Sequence, residues 1–142
     1  MTAPAPPVTL DLVIPSDLGE ARRVQDEIER ALLAHQFPEK DIFGIRLALE
    51  EALVNAIKHG NQMDPAKRVR VACHVRFDRF DVRITDEGPG FDPQDVPDPT
   101  APENLERPCG RGLLLMRHYM TEVAYHDRGR AVRMAKVRNG VK

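Results

Sequence analysis

Two polar side chains one helical turn apart are the first candidates for chemistry in this chain. Glu51 and Asn55 stand four residues apart in the segment from Glu50 to Gly60, so on a helix they lie within roughly 40° of each other, at the edge of the apolar stripe. Asn55 would give one oxygen to a magnesium ion that otherwise keeps waters and phosphate oxygens. Glu51 would take a proton from an attacking hydroxyl or water. The alternative role for the pair is a local hydrogen bond.

An acidic residue followed by alternate glycines is the second candidate. Asp86 ends a strand-like segment, and Gly88 and Gly90 follow it. A carboxylate accepts a hydrogen bond from an amine but repels a carbonyl, so an aspartate on a pocket floor favours adenine over guanine. Glycines let a flat base approach the backbone without an intervening Cβ. The alternative is a simple Gly/Pro turn after a strand.

A glycine-rich start of an apolar helix is the third candidate. Gly110-Arg111-Gly112 precedes Leu113, and the free N–H groups and dipole of such a helix suit an anion. Arg107 and Arg111 would contact phosphate oxygens. The segment before it, about residues 92–110, is rich in proline and is expected to be a lid that closes over phosphates. The alternative is a flexible loop-to-helix junction. Together, the three segments describe a site for an adenine nucleotide and its magnesium.

Length and composition restrict the class of protein. The chain has 142 residues, 42% of them hydrophobic, 30% charged residues and a net charge of −1, which predicts one domain and no nucleic-acid surface. Its longest apolar run, Leu113 to Met116, is far too short for a membrane span. No signal peptide is recognisable, and Cys73 and Cys109 lack metal-ligand spacing. A cytoplasmic location is therefore expected.

The periodicity of apolar residues predicts an α+β fold. Residues 1–7 are expected to be a flexible tail and 8–138 a single domain. A two-layer sandwich is predicted, with helices on one face of a mixed, mainly antiparallel sheet. Gly60 is expected to end the second helix in a left-handed conformation. The predicted strands are Val8–Ile14, Arg68–Phe77, Phe80–Ile84, Glu122–His126 and Ala131–Val137, and the predicted helices run from Ser16 or Asp17 to Phe37, from Pro38 to His59 and from Leu113 to Met120.

The three segments, in this order, resemble the signature boxes of the Bergerat-fold ATPases, which include histidine-kinase catalytic domains. The asparagine box resembles Glu51 to Gly60, and the two glycine boxes resemble Asp86 to Gly90 and Gly110 to Gly112. The likeness extends from about Leu10 to Val137. In the amino-acid sequence of the asparagine box and in chain length, the protein is most similar to the stand-alone anti-sigma-factor serine kinases of bacterial partner switching.

The resemblance implies a function and a set of roles. An ATP-dependent protein serine/threonine kinase is expected, which phosphorylates a small antagonist of the STAS fold and can also sequester a sigma factor; homodimers are common in the family. Glu51 would be the general base, Asn55 the magnesium ligand and Asp86 the adenine acceptor. The remaining nucleotide-binding residues implied by the boxes are Lys58, His59, Gly88, Gly90, Arg107, Gly110, Arg111, Gly112 and Leu113.

Two departures from the family pattern leave other functions open. The family shows a Thr-Thr pair where this chain has Gly129-Arg130-Ala131-Val132, so a hydroxyl that would support adenine is missing, and Pro108-Cys109 alters the end of the lid. A nucleotide-gated binding module without significant kinase activity is therefore the alternative. A sandwich that binds no nucleotide is a third hypothesis.

Overall fold

The structure is a computed structural model that describes residues 6–90 and 108–140, with backbone only at 108–111. Five strands and three α-helices follow one another in the predicted order, and a π-helical segment, Asn55–Gly60, extends the second helix. The bounds are β1 Val8–Pro15, α1 Leu18–Ala34, α2 Glu39–Val54, β2 Arg68–Val75, β3 Arg79–Thr85, α3 Pro108–Tyr119, β4 Glu122–His126 and β5 Ala131–Val137.

The described strands form one sheet in the order β1-β2-β3-β5-β4. Every pairing between them is antiparallel, so no parallel pair of the expected mixed sheet occurs among them. Residues on alternate positions share a face, and Val82 and Ile84 pair with Met134 and Val132 on the buried one. The α+β class, with helices packed against one face of the sheet, is confirmed.

Both long helices bury the stripes that their sequences predict. Asp17 caps α1, because its Oδ1 accepts a hydrogen bond from the N–H of Glu20 at 2.9 Å, which satisfies a free donor of the first turn. The core side of α1 carries Val24, Ile28 and Leu32. The core side of α2 carries Ile42, Ile45, Ala48, Leu49, Ala52 and Leu53.

The end of the second helix differs from the prediction. Helical backbone reaches Gly60, but the six residues of the π-helical segment wind more widely than an α-helix, a departure that is frequent at functional sites. Gly60 does not adopt the expected left-handed conformation. The residues with positive φ are Gln62 at 53° and Met63 at 59°, one turn later. Gly60 is instead required because a side chain at this position would collide with Asp86.

Two further boundaries were predicted wrongly. Helix α3 begins at Pro108 rather than Leu113, which is consistent with the preference of proline for the first position of a helix. Strand β2 ends at Val75, so Phe77 is 50% exposed instead of buried. Its ring is instead covered by the guanidinium of Arg138, 4.6 Å from the ring centroid. Strands β4 and β5 have the predicted bounds.

Within the stretches 6–90 and 108–140, none of the helices combines the length and apolar character of a membrane span.

Candidate nucleotide site

The side chains of Glu51 and Asn55 lie at the seam between α2 and the rest of the molecule. Both residues are half-buried, whereas the neighbouring Glu50 is exposed. Neither side chain forms a hydrogen bond or an ion pair with any described residue. Neither side chain carries a fully buried polar atom that lacks a partner. The local Glu51–Asn55 hydrogen bond, the alternative role for this pair, is therefore not formed.

Helix α3 approaches this pair through a glycine. A Cβ added to Gly112 would lie 2.7 Å from Nδ2 of Asn55 and 3.3 Å from Oε1 of Glu51. The asparagine segment and the second glycine segment, which are distant in the chain, therefore meet in the structure. Because α3 begins at Pro108, Gly110 lies among the first N–H groups that lack helical acceptors, while Gly112 lies deeper in the helix.

Asp86 lies at the end of β3, where the backbone leaves the sheet. Its N–H donates to the carbonyl of Arg130 at 2.9 Å, and its Oδ1 accepts from the N–H of Gly88 at 2.8 Å. A Cβ on Gly60 would come within 2.4 Å of the Asp86 carboxylate, and a Cβ on Gly88 would lie 2.0 Å from the carbonyl oxygen of Gly60. The acidic glycine loop therefore packs directly on the π-helical segment that begins at Asn55.

Burial dominates the electrostatics of Asp86. Desolvation raises the pKa of this carboxyl group, and the hydrogen bond from Gly88 together with the charges of Arg130 and Lys67 opposes the rise. A half-buried carboxylate that accepts one backbone N–H keeps lone pairs for a further donor. In the described part of the chain, no second hydrogen bond to this carboxylate is formed.

The other glycine of this loop is fixed by the β4–β5 turn. Gly90 has a φ of +78°, and a Cβ there would lie 2.4 Å from the carbonyl oxygen of Arg128. The turn itself places Asp127, Arg128 and Gly129 at positive φ.

Asn61 is a residue of the site that sequence reasoning left without a role. It is fully buried, and its Nδ2 donates to Oγ of Ser16 and to the carbonyl of Arg68, each at 3.0 Å. Its Oδ1 accepts from the N–H of Glu87 at 2.7 Å. One side chain thus connects the π-helical segment, β1, β2 and the acidic loop. The signal in the sequence that could have identified Asn61 was its position directly after Gly60, where the asparagine segment ends.

The remaining predicted residues are placed unequally. Lys58 and His59 are exposed on the π-helical segment, and Leu113 is buried in α3. Gly110 and Arg111 belong to the first turns of α3, but the side chain of Arg111 is not described. Arg107 and most of the predicted lid, residues 92–107, lie outside the described residues.

Comparisons with known proteins indicate the family of this chain. A family model described as the histidine kinase-like ATPase domain matches residues 14–136. The serine-protein kinase RsbW of Listeria innocua is 31% identical over 110 residues, which cover 72% of this chain and 70% of that protein. RsbW of Bacillus subtilis is 33% identical over 107 residues, 70% of this chain and 67% of that protein. The anti-sigma F factor of Oceanobacillus iheyensis is 31% identical over 98 residues, 65% of this chain and 66% of that protein.

A solved structure shares the fold. The crystal structure of the RsbU and RsbW domains of Rv1364c from Mycobacterium tuberculosis superposes with a TM-score of 0.60 at 17% identity. The match covers 96% of this chain and 32% of that chain, and it supports the fold alone. It confirms the expected architecture, and the family model and the relatives above confirm the expected family role. The chain therefore belongs to the histidine kinase-like ATPase domain family, in the group of RsbW-type serine-protein kinases and anti-sigma F factors.

Proposed function

We propose that this chain is an ATP-dependent protein serine/threonine kinase of a bacterial partner switch, acting in the cytoplasm through the domain of residues 8–138. Its substrate would be a hydroxyl group on a small STAS-fold antagonist, and it would also sequester a sigma factor. The relatives named serine-protein kinase and anti-sigma F factor support this assignment. The observation that carries it is the position of Glu51 and Asn55, whose side chains have no partner among the described residues, against Gly112.

The base would be recognised at Asp86. Its carboxylate is half-buried, keeps lone pairs free, and is flanked by Gly60 and Gly88. The exocyclic amine of adenine can donate to such an acceptor, whereas guanine presents a carbonyl at the same position. Gly88 and Gly90 would leave room for the flat base beside the backbone.

The phosphates would extend from there toward the start of α3. The π-helical segment links the two ends, because Gly60 contacts Asp86 and Asn55 lies next to Gly112. Gly110 offers an N–H without a helical acceptor, and Lys58, His59, Arg107 and Arg111 are the candidate cations. This placement of the phosphates is part of the proposal.

Phosphotransfer would use Glu51 as the general base. The carboxylate of Glu51 accepts the proton of the substrate hydroxyl while the hydroxyl oxygen bonds to the γ-phosphorus and the bond to the bridging β–γ oxygen breaks, releasing ADP. The amide of Asn55 has no partner among the described residues, and its oxygen is a donor of the kind that Mg²⁺ prefers. Asn55 would hold this ion, which supplies neutralisation of phosphate charge when bound.

The experiment that tests the proposal combines binding with phosphotransfer. The purified full chain is melted with MgATP and with MgGTP, then incubated with labelled ATP and with purified STAS-domain proteins from the same genome. We expect stabilisation by ATP alone and a label on a serine or threonine of one STAS protein. The mass of the kinase in solution would report whether it forms the homodimer that is common in the family it resembles. Stabilisation and ATP-dependent capture of a STAS protein without a label would favour the nucleotide-gated binding module, and no response to either nucleotide would contradict both.

A further inference from the structure

Arg130 stands where the family pattern has a threonine, and its side chain reaches back to the acidic loop. Its Nε donates to the carbonyl oxygen of Gly88 at 2.8 Å, and its terminal Nη2 donates to the carbonyl oxygen of Pro89 at 3.2 Å. Its own carbonyl accepts from the N–H of Asp86 at 2.9 Å. Arg130 thus binds the acidic loop through both its side chain and its backbone carbonyl.

The guanidinium is directed at these carbonyls rather than at an acidic partner. Its distance to Oδ1 of Asp127 is 3.9 Å, and that carboxylate side chain is 57% exposed, so the ion pair is weak. The planar donors of arginine match two neighbouring carbonyl oxygens, and charged donors form the stronger hydrogen bonds. A threonine hydroxyl has a single proton to donate and a much shorter reach.

Both effects of Arg130 act on Asp86. The carbonyl of Gly88 is fixed by the guanidinium, and the N–H of the same residue donates to Oδ1 of Asp86. The positive charge also opposes the burial that raises the pKa of Asp86, in the same sense as Lys67. Removing the guanidinium would therefore loosen the loop and favour the protonated carboxyl group.

We propose that Arg130 is a positioning residue of the adenine site, which fixes the Gly88–Pro89 backbone and thereby directs the Asp86 carboxylate at the base. This inference rests on the proposed ATP site. In this chain, the cation of Arg130, which binds protein carbonyls, takes the place of a hydroxyl that would touch the nucleotide or its waters. Adenine selection in this chain then depends on a preorganised loop.

The test measures MgATP and MgGTP affinity by titration calorimetry over a range of pH, for the wild type and for Arg130→Met. We expect ATP to bind about tenfold more weakly in the variant, as for the loss of hydrogen bonds from a charged donor, with a smaller preference over GTP. As the pH falls, the variant should lose ATP affinity at a higher pH than the wild type, because its Asp86 protonates sooner. Arg133→Met is the control, since Arg133 is exposed on the outer face of β5 and has no described contact with the loop.

Arg130→Lys separates the two contributions and also decides the matter if the methionine variant does not fold. It keeps the charge but cannot bridge both carbonyls, so it should show the pH dependence of the wild type with weaker ATP binding. Wild-type affinity and pH dependence in either variant would overturn the role of Arg130. A wild type that does not bind ATP, or an Asp86→Asn variant that binds ATP as tightly as the wild type, would instead overturn the nucleotide site itself.

Discussion

Gly60 lies so close to Asp86 that a Cβ on the glycine would come within 2.4 Å of both Cγ and Oδ2 of the carboxylate. The two residues are twenty-six positions apart, and their contact joins the π-helical segment to the acidic loop. The absence of a side chain at position 60 is what allows the carboxylate to lie beside the helix end.

Gly60→Ala should therefore affect nucleotide binding and stability together. The new methyl group must displace the Asp86 carboxylate, and overpacking of this kind costs about 1–3 kcal/mol of unfolding free energy. We expect a lower Tm and no further stabilisation by MgATP in thermal melts. Gly140→Ala is a control, because a Cβ there meets no atom within 4 Å and only its φ of +86° is strained; that variant should keep the response to ATP. A Gly60→Ala variant with an undiminished ATP response would show that the displaced carboxylate does not contact the nucleotide.

Gly112→Ala should separate stability from activity. In a helix interior, alanine is favoured over glycine by about 1 kcal/mol, and the atoms that its Cβ would meet are Nδ2 of Asn55 and Cγ and Oε1 of Glu51, which belong to side chains that can rotate away. We expect an unchanged or higher Tm together with a loss of phosphotransfer, because the two polar groups are displaced. Gly19→Ala in the first turn of α1 is the matched helix substitution away from the site. Full phosphotransfer by Gly112→Ala would argue against any catalytic role of this pair.

Glu51→Gln should abolish most phosphotransfer while ATP binding persists. The amide is nearly isosteric with the carboxylate but cannot accept a proton, and a positioned general base contributes about 10²–10⁴-fold to the rate. Glu50→Gln is the control, because Glu50 is the adjacent and exposed carboxylate. Initial rates of labelled phosphate transfer to the STAS substrate, with ATP titrations of each variant, make the comparison. Equal rates for the two variants would exclude Glu51 as the base.

Local patterns in the sequence predicted the helices and strands. The predictions that were wrong concern features that depend on contacts between distant segments. Alternating apolar residues predicted β1 at Val8–Ile14, and the strand spans Val8–Pro15, because a strand with one buried face imposes a period of two. The role of Gly60 was misassigned, since a helix-ending glycine suggests a left-handed cap and its contact with Asp86 is visible only in three dimensions. Phe77 was included in the predicted strand because the alternation of apolar residues continues past Val75, where β2 ends.

The candidate site shows the same division. The spacing of Glu51 and Asn55 predicted that both lie on one side of a helix, and the three segments together predicted one site. Asn61 was not singled out, because a buried asparagine is recognised by its partners Ser16, Arg68 and Glu87, which lie in three other segments. Arg130 was read only as a missing hydroxyl, since its reach to Gly88 and Pro89 cannot be inferred from its position in the sequence.

The pH dependence of stability should reveal the burial of Asp86. Burial raises the pKa of this group in the folded protein above its ordinary value of 3.8, which the unfolded chain retains. Between those two pKa values the folded protein binds more protons than the unfolded chain, so stability falls as the pH rises through that interval, and the loss persists at neutral pH.

Asp86→Asn removes this penalty, because the amide does not ionise and its oxygen can still accept from the N–H of Gly88. Without nucleotide, we expect the variant to unfold at a higher temperature than the wild type at pH 7, and the difference to shrink as the pH falls from the raised pKa of Asp86 toward 3.8. With saturating MgATP the order should reverse, since only the wild type gains the binding energy, about 2.7 kcal/mol at 100 times Kd. Asp127→Asn, at an exposed carboxylate of the β4–β5 turn, should show neither effect. Melts of the three proteins from pH 3.5 to 8 measure both differences, and a variant less stable than the wild type at pH 7 without nucleotide would mean that the ionised carboxylate stabilises the fold.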